Sequence, residues 1–252
     1  MSARELDGRV AFVLGGGSIA PGWGIGKATA VAFARAGAAV AVGDRNPEAA
    51  REVADMIQAE GGRAVALGMD VSDDTSLTDA FARARGELGR IDVVHHNVGL
   101  GRSGDPAETS GADWRAFTDA NLTSLHTAFQ AALGDWQTGG GVFLTTSSIA
   151  GLRHVGYPHL AYGVTKAAAL QFVQLVAVDY AHLGIRANAI VAGFIDTPRI
   201  DLTLSRTYGG DGEAMRAQRS RQVPLGRMGT AFDVAEAAVF LASDRAGYIS
   251  GT

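Results

Sequence analysis

The sequence predicts an α/β fold: one doubly wound domain with a mostly parallel sheet flanked by helices on both faces. Three observations carry that expectation. Short apolar runs alternate with amphipathic stretches and no linker separates them, so 252 residues read as a single domain, 1–252. The first apolar run passes straight into a glycine-rich turn that opens a helix. Hydrophobic residues make up 47% of the chain and charged residues 19%, enough to bury a large core.

The first strand is Val10 to Leu14, bounded at once by glycines. The turn Gly15 to Gly26 follows, and the helix it opens has apolar positions at Ile25, Ala28, Ala32, Phe33 and Ala36. Glycines there let backbone amides approach a pyrophosphate, and the helix N-terminus adds partial positive charge. Gly15 and the Gly24-Ile25-Gly26 step are the expected contacts, with extra residues including Pro21 and Trp23 between them. That longer loop either covers the pyrophosphate or contacts the adenosine.

The second strand, Ala39 to Gly43, ends at Asp44, and Asn46-Pro47-Glu48 carries the cap, proline and acid of a helix start. An acid at this strand end, roughly 20 residues beyond the glycine turn, can accept hydrogen bonds from the adenosine ribose of NAD. The neighbouring Arg45 keeps NADP open as the lesser alternative, although an extended backbone points its side chain away from that of Asp44. A third strand spans Arg63 to Gly68, a helix about Asp74 to Leu88, and a fourth strand Ile91 to His96. His95 and His96 lack a third ligand and point to opposite faces of the strand, so no metal is expected. A helix over about 112–133 carries Asn121, a residue unfavourable inside a helix unless its side chain is engaged.

The chemistry is read in the stretch from Thr145 to Lys166. Ser148 follows the apolar run Val142-Phe143-Leu144, which places its hydroxyl at the carboxyl edge of a strand. With a helix beginning near Ala161, Tyr162 and Lys166 stand four apart on one face. A phenol with a pKa of about 10 becomes a usable acid or base when a cation favours its phenolate.

These residues occur in the order of one family: the chain resembles the short-chain dehydrogenases/reductases over essentially its whole length. The resemblance implies a Rossmann fold. It also implies an NAD(H)-dependent oxidoreductase that interconverts a secondary alcohol and a ketone. Tyr162 would be the general acid/base, Ser148 the partner of the substrate oxygen, and Lys166 a ligand of the nicotinamide ribose. Asn121 would hold a water beside the lysine. Ser147 is the second candidate for the serine, because Ser148 lies one residue further from Tyr162 than expected. Asp70 and Val71 fall where the family contacts adenine. Asn97-Val98-Gly99 is similar to the Asn-Asn-Ala-Gly segment, with His96 and Val98 as departures. Ile195 and Thr197 follow a segment in which Ala192 replaces the usual proline, and they would meet the carboxamide and phosphates.

The inserted glycine loop is similar to that of the enoyl reductases, but those place the lysine further from the tyrosine, which favours carbonyl chemistry. Alternatives are an NADP-dependent ketoreductase, such as a 3-oxoacyl reductase, and a non-catalytic dinucleotide-sensing protein. The segment 199–222, polar and glycine-bearing, suits a lid or a solvated loop. The helix after Tyr162 is apolar almost all round, so a partner subunit is expected to cover it, in a homotetramer or homodimer. The family's last strand is expected to be absent or truncated after Thr252. A net charge of −4 without a basic stripe argues against nucleic acid, and no apolar run reads as a bilayer span. With no cysteines and no signal peptide, the cytoplasm is the expected location.

Overall fold

The computed structural model describes residues 4–204 and 211–252, without the side chains of residues 203 and 204. Six strands form one parallel sheet: β1 (Val10–Leu14), β2 (Ala39–Asp44), β3 (Ala64–Gly68), β4 (Val93–His96), β5 (Gly141–Ser148) and β6 (Ile185–Ala192). Their order in space is β3-β2-β1-β4-β5-β6. The chain therefore reverses its direction of winding between β1 and β4, and a crevice opens at the carboxyl ends of those strands.

Both faces of the sheet are covered, which is why the strands read as unbroken apolar runs. On one face Ala11, Val13, Val40 and Val42 pack with α1 (Ile25–Arg35), α2 (Pro47–Ala59) and α9 (Ala231–Ala242). On the other, Phe12, Leu14, Val94 and Phe143 pack with α3 (Asp74–Leu88), α5 (Ser124–Trp136) and α6 (Leu160–Asp179). The expected cap of α2 is present, with the Asn46 side chain accepting from the Glu48 amide. A Thr230–Asp233 capping box starts α9.

Three expectations need correction. The helix expected over 112–133 is broken into α4 (Gly111–Thr118), a π-helical turn at Asp119–Thr123 and α5. The polar segment after Arg199 contains two helices, α7 (Pro198–Leu204) and α8 (Gly212–Arg221), whose residues Ile200 and Met215 pack with Phe194 and Met228. Its central residues Tyr208, Gly209 and Gly210 lie outside the described residues. Helix α6 is long and apolar enough to cross a membrane by length and composition, contrary to expectation, but it packs on β5 and β6 and buries Lys166 at 3% exposure. Residues 249–252 lie beside β6, where Gly251 donates to the Ala187 carbonyl and Ala189 to that of Thr252.

Candidate active site

Carboxyl-end loops of β1, β2, β4 and β5 surround a cleft of about 660 Å³. Gly15, Gly24, Ile25, Gly26, Asp44, Asp70, Val71, Asn97, Gly99, Tyr162, Lys166 and Thr197 all line it. The glycine turn is held by close approach. A Cβ on Gly26 would stand 1.9 Å from the Gly15 carbonyl oxygen, so no other residue fits there. Gly15 has φ +73°, a left-handed conformation that glycine adopts without strain. Asn97 Nδ2 donates to the Gly15 carbonyl at 3.1 Å, and Asp44 Oδ2 accepts the Gly17 amide at 3.0 Å. Asp70 accepts from the Ser72 hydroxyl and amide, which holds its carboxyl below the usual range. Arg45, expected to point away, contributes to the wall of the same cleft, and its charge also lowers Asp70.

The cleft joins the glycine turn at the N-terminus of α1 to two carboxylates at the ends of β2 and β3, a donor and acceptor set that fits a dinucleotide. Trp23 of the inserted loop packs edge-on against Phe232, with ring centroids 4.8 Å apart, and lies under the Lys27 ammonium. That loop is therefore anchored to α1 and α9.

A second cavity of about 140 Å³ adjoins the first, lined by Ser147, Ser148, Tyr157, His159, Ile195 and Arg219 among others. Tyr162, Ile25, Thr146, Thr197 and Arg199 belong to both. Ile195 thus faces the second cavity rather than the cleft. Ser147 Oγ donates to the Lys166 carbonyl, whereas Ser148 Oγ accepts the Ala150 amide and, with Tyr162, lines the second cavity, where it pulls the phenol's pKa down. The structure brings Ser148, the first choice, to the tyrosine.

Lys166 sits four residues along α6 from Tyr162, with Nζ 5.7 Å from the ring centroid. Its ammonium donates to the Val98 and Thr146 carbonyls, each at 2.7 Å. Burial, and then the charge of Arg199, push its pKa down to about 7. Burial raises the Tyr162 phenol, against the pull of Arg199 and then of Ser148. Arg199, which the sequence did not single out, is thus a cation that pulls against the upward shift of the phenol. In the sequence it stands in a polar connecting segment, where a cation reads as solvated. His159 was missed as well. Its ring stacks on Tyr162 at 4.5 Å, and burial pushes its pKa down to about 4.

Asn121 lies in the π-helical turn and lines neither cavity. Its Oδ1 accepts from the Leu100 amide, and its Nδ2 donates to the Leu100 carbonyl and to Thr165 Oγ1. The side chain is engaged, as its place in a helix implied, and it ties the loop after β4 to α6. His96, which departs from the family pattern, bonds Ser124 Oγ at 2.8 Å, and His95 bonds Thr146 Oγ1 at 2.9 Å. No metal-holding cluster of three or more ligands occurs among the described residues.

Comparison with known proteins agrees with this geometry. A family profile described as Enoyl-(Acyl carrier protein) reductase matches residues 19–252. The chain is 33% identical over 250 residues to 2,5-dichloro-2,5-cyclohexadiene-1,4-diol dehydrogenase LinX of Sphingobium indicum, covering 99% of this chain and 94% of that protein. It is 34% identical over 262 residues to the cyclohexanol dehydrogenase of an Acinetobacter species, covering 99% and 94%. A Burkholderia xenovorans structure solved as a short-chain dehydrogenase/reductase superimposes with a TM-score of 0.94 at 36% identity, covering 99% of this chain and 95% of that one. A 7α-hydroxysteroid dehydrogenase, solved with NADH and 7-oxo glycochenodeoxycholic acid, gives 0.88 at 34% identity, covering 99% and 92%. The chain belongs to the short-chain dehydrogenase/reductase family and is an oxidoreductase of the alcohol dehydrogenase and ketoreductase kind.

Proposed function

We propose that this protein interconverts a secondary alcohol and a ketone with NAD(H), using Tyr162 as the general acid/base. One observation carries the reading: Tyr162 is shared by the dinucleotide-shaped cleft and the smaller cavity, so its phenol stands where cofactor and substrate meet. A nicotinamide dinucleotide in the cleft would supply hydride acceptance or donation. In oxidation the Tyr162 phenolate takes the proton of the substrate hydroxyl, and in reduction it returns that proton. Ser148 holds the same oxygen and stabilises its developing charge. Lys166 has three N–H donors and spends two on carbonyls, leaving one for the ribose. Asn121 is a positioning residue for Leu100 and Thr165, and the water beside the lysine is the role its family place suggests.

Asp44 supports NAD over NADP. The second reading, an NADP-dependent ketoreductase, is favoured by Arg45 in the cleft wall. Helix α6 leaves Val164, Leu175 and Val178 exposed, which supports a homotetramer or homodimer closed over that stripe. The direct test incubates the protein with NAD or NADP and a panel of secondary alcohols and follows nicotinamide absorbance. Reduction with NAD is expected, and failure of every alcohol with both cofactors would overturn the reading.

A further inference from the structure

One cation of the smaller cavity has side-chain donors that no described residue fills. Arg219 on α8 lines it at only 5% exposure, and its Nε and Nη1 are buried without a hydrogen-bond partner among the described residues. The guanidinium lies 4.4 Å from the Phe194 ring centroid, so the ring compensates one face of the cation but accepts no in-plane N–H. Arg199 lines the same cavity. No Asp or Glu does. The neighbouring acids are committed elsewhere: Asp196 and Asp201 pair with Arg216, Asp211 caps α8, and Glu213 is exposed. The sequence has no acid between Asp201 and Asp211. His159 is held neutral by burial and supplies no counter-charge.

A buried guanidinium with unfilled donors is costly to keep, and a ligand anion removes that cost. We propose that Arg219 is the anchor for a carboxylate on the substrate, so that this oxidoreductase acts on hydroxy acids and keto acids rather than on neutral alcohols. The inference rests on the proposed alcohol/ketone chemistry at Tyr162 and names its substrate class. The planar fork of arginine matches a carboxylate, and the cavity, about 140 Å³ and shared with Ser148 and Tyr162, keeps that carboxylate within a short chain of the reacting carbon. A neutral ester at the same place would leave the guanidinium unpaired, which is how such sites discriminate.

The test uses the full chain with 3-hydroxybutyrate, 4-hydroxypentanoate and 5-hydroxyhexanoate, each beside its methyl ester. Binding is read as a thermal shift of the NADH complex, and turnover separately as the kcat/KM ratio of acid to ester. At least one acid is expected to raise the melting temperature where its ester does not, with a turnover ratio of about 100 or more. In Arg219→Gln both differences collapse to within a few fold of unity, and Arg219→Lys retains part of them. Indistinguishable acids and esters in the wild type, a preference that survives Arg219→Gln, or tighter binding of a phosphate monoester would each overturn the carboxylate anchor. Arg219-dependent acid binding without turnover on either cofactor would defeat the oxidoreductase reading and leave the anchor standing. Turnover of neutral alcohols alone would do the reverse. Should Arg219→Gln fail to bind NADH, the wild-type comparison and Arg219→Lys decide the matter.

Discussion

The Asp44 carboxylate accepts the backbone amide of Gly17 at 3.0 Å, linking the end of β2 to the glycine turn after β1. One side chain therefore both shapes the glycine turn and lines the cleft proposed for the dinucleotide. The phosphate that distinguishes NADP would bring like charge against it, worth about 1–4 kcal/mol between water-like and surface-like dielectrics. A preference for NAD of about tenfold or more in kcat/KM is expected. Asp44→Ala should reduce or invert it while raising KM for both cofactors, because the loop is released as well. Equal efficiencies in the wild type would assign the choice to Arg45.

Tyr162→Phe removes the acid/base oxygen and leaves the ring stacked on His159. Turnover should fall by about 10²–10⁴-fold, with NADH affinity by fluorescence nearly unchanged. Activity within a few fold of the wild type would eliminate Tyr162 from the chemistry.

Arg199 pulls the Tyr162 phenol down while burial holds it up. Alcohol oxidation should therefore rise through the alkaline range as the phenolate forms, and Arg199→Gln should move that limb of the kcat/KM profile to higher pH. An unmoved limb would transfer the role to another cation.

His95 is fully buried and its pKa is pushed down from 6.5 to about 3, and burial lowers His96 as well. Both are neutral in the folded protein and protonate freely once unfolded. Stability is thus complete above pH 6.5 and is lost as pH falls towards the folded-state values. The loss should be about 1.4 kcal/mol per pH unit for each histidine, read from urea denaturation between neutrality and mild acid. Replacing both by Asn should flatten this slope, and an unchanged slope would place acid sensitivity in the carboxylates.

Val164, Gln171, Leu175 and Val178 are exposed along one stripe of α6. Light scattering should give the mass of a tetramer or dimer, lowered in the double variant Leu175→Asp, Val178→Asp. A monomeric mass for the wild type at micromolar concentration would dismiss this stripe as a subunit interface.

The strands were legible because a parallel sheet covered on both faces needs unbroken apolar runs, and Val10–Leu14 coincides with the expectation. The glycine turn was legible because only glycine tolerates the approach of Gly26 to Gly15. Arg199, Arg219 and His159 were not. Polar side chains in a connecting segment read as solvated, and only tertiary packing buries Arg219 against Phe194 and stacks His159 on Tyr162. The partners of Lys166 were hidden for a related reason. Spacing puts it on the tyrosine's face of α6, but the carbonyls of Val98 and Thr146, which come from other elements, capture its ammonium.

The π-helical turn at Asp119–Thr123 fixes an angular phase as well as a kink. In an α-helix each residue advances the direction of the side chains by about 100°, so the extra residue of a π turn rotates everything beyond it by roughly that much. Deleting one residue there would restore a regular helix and leave its length nearly unchanged. It would also turn the apolar side of α5, including Leu125, Ala128 and Phe129, away from the sheet, or else swing Asn121 off Leu100 and Thr165. The chain can be right on both sides of that turn only by carrying the irregularity, so the segment should accept substitutions far more readily than a change in its length.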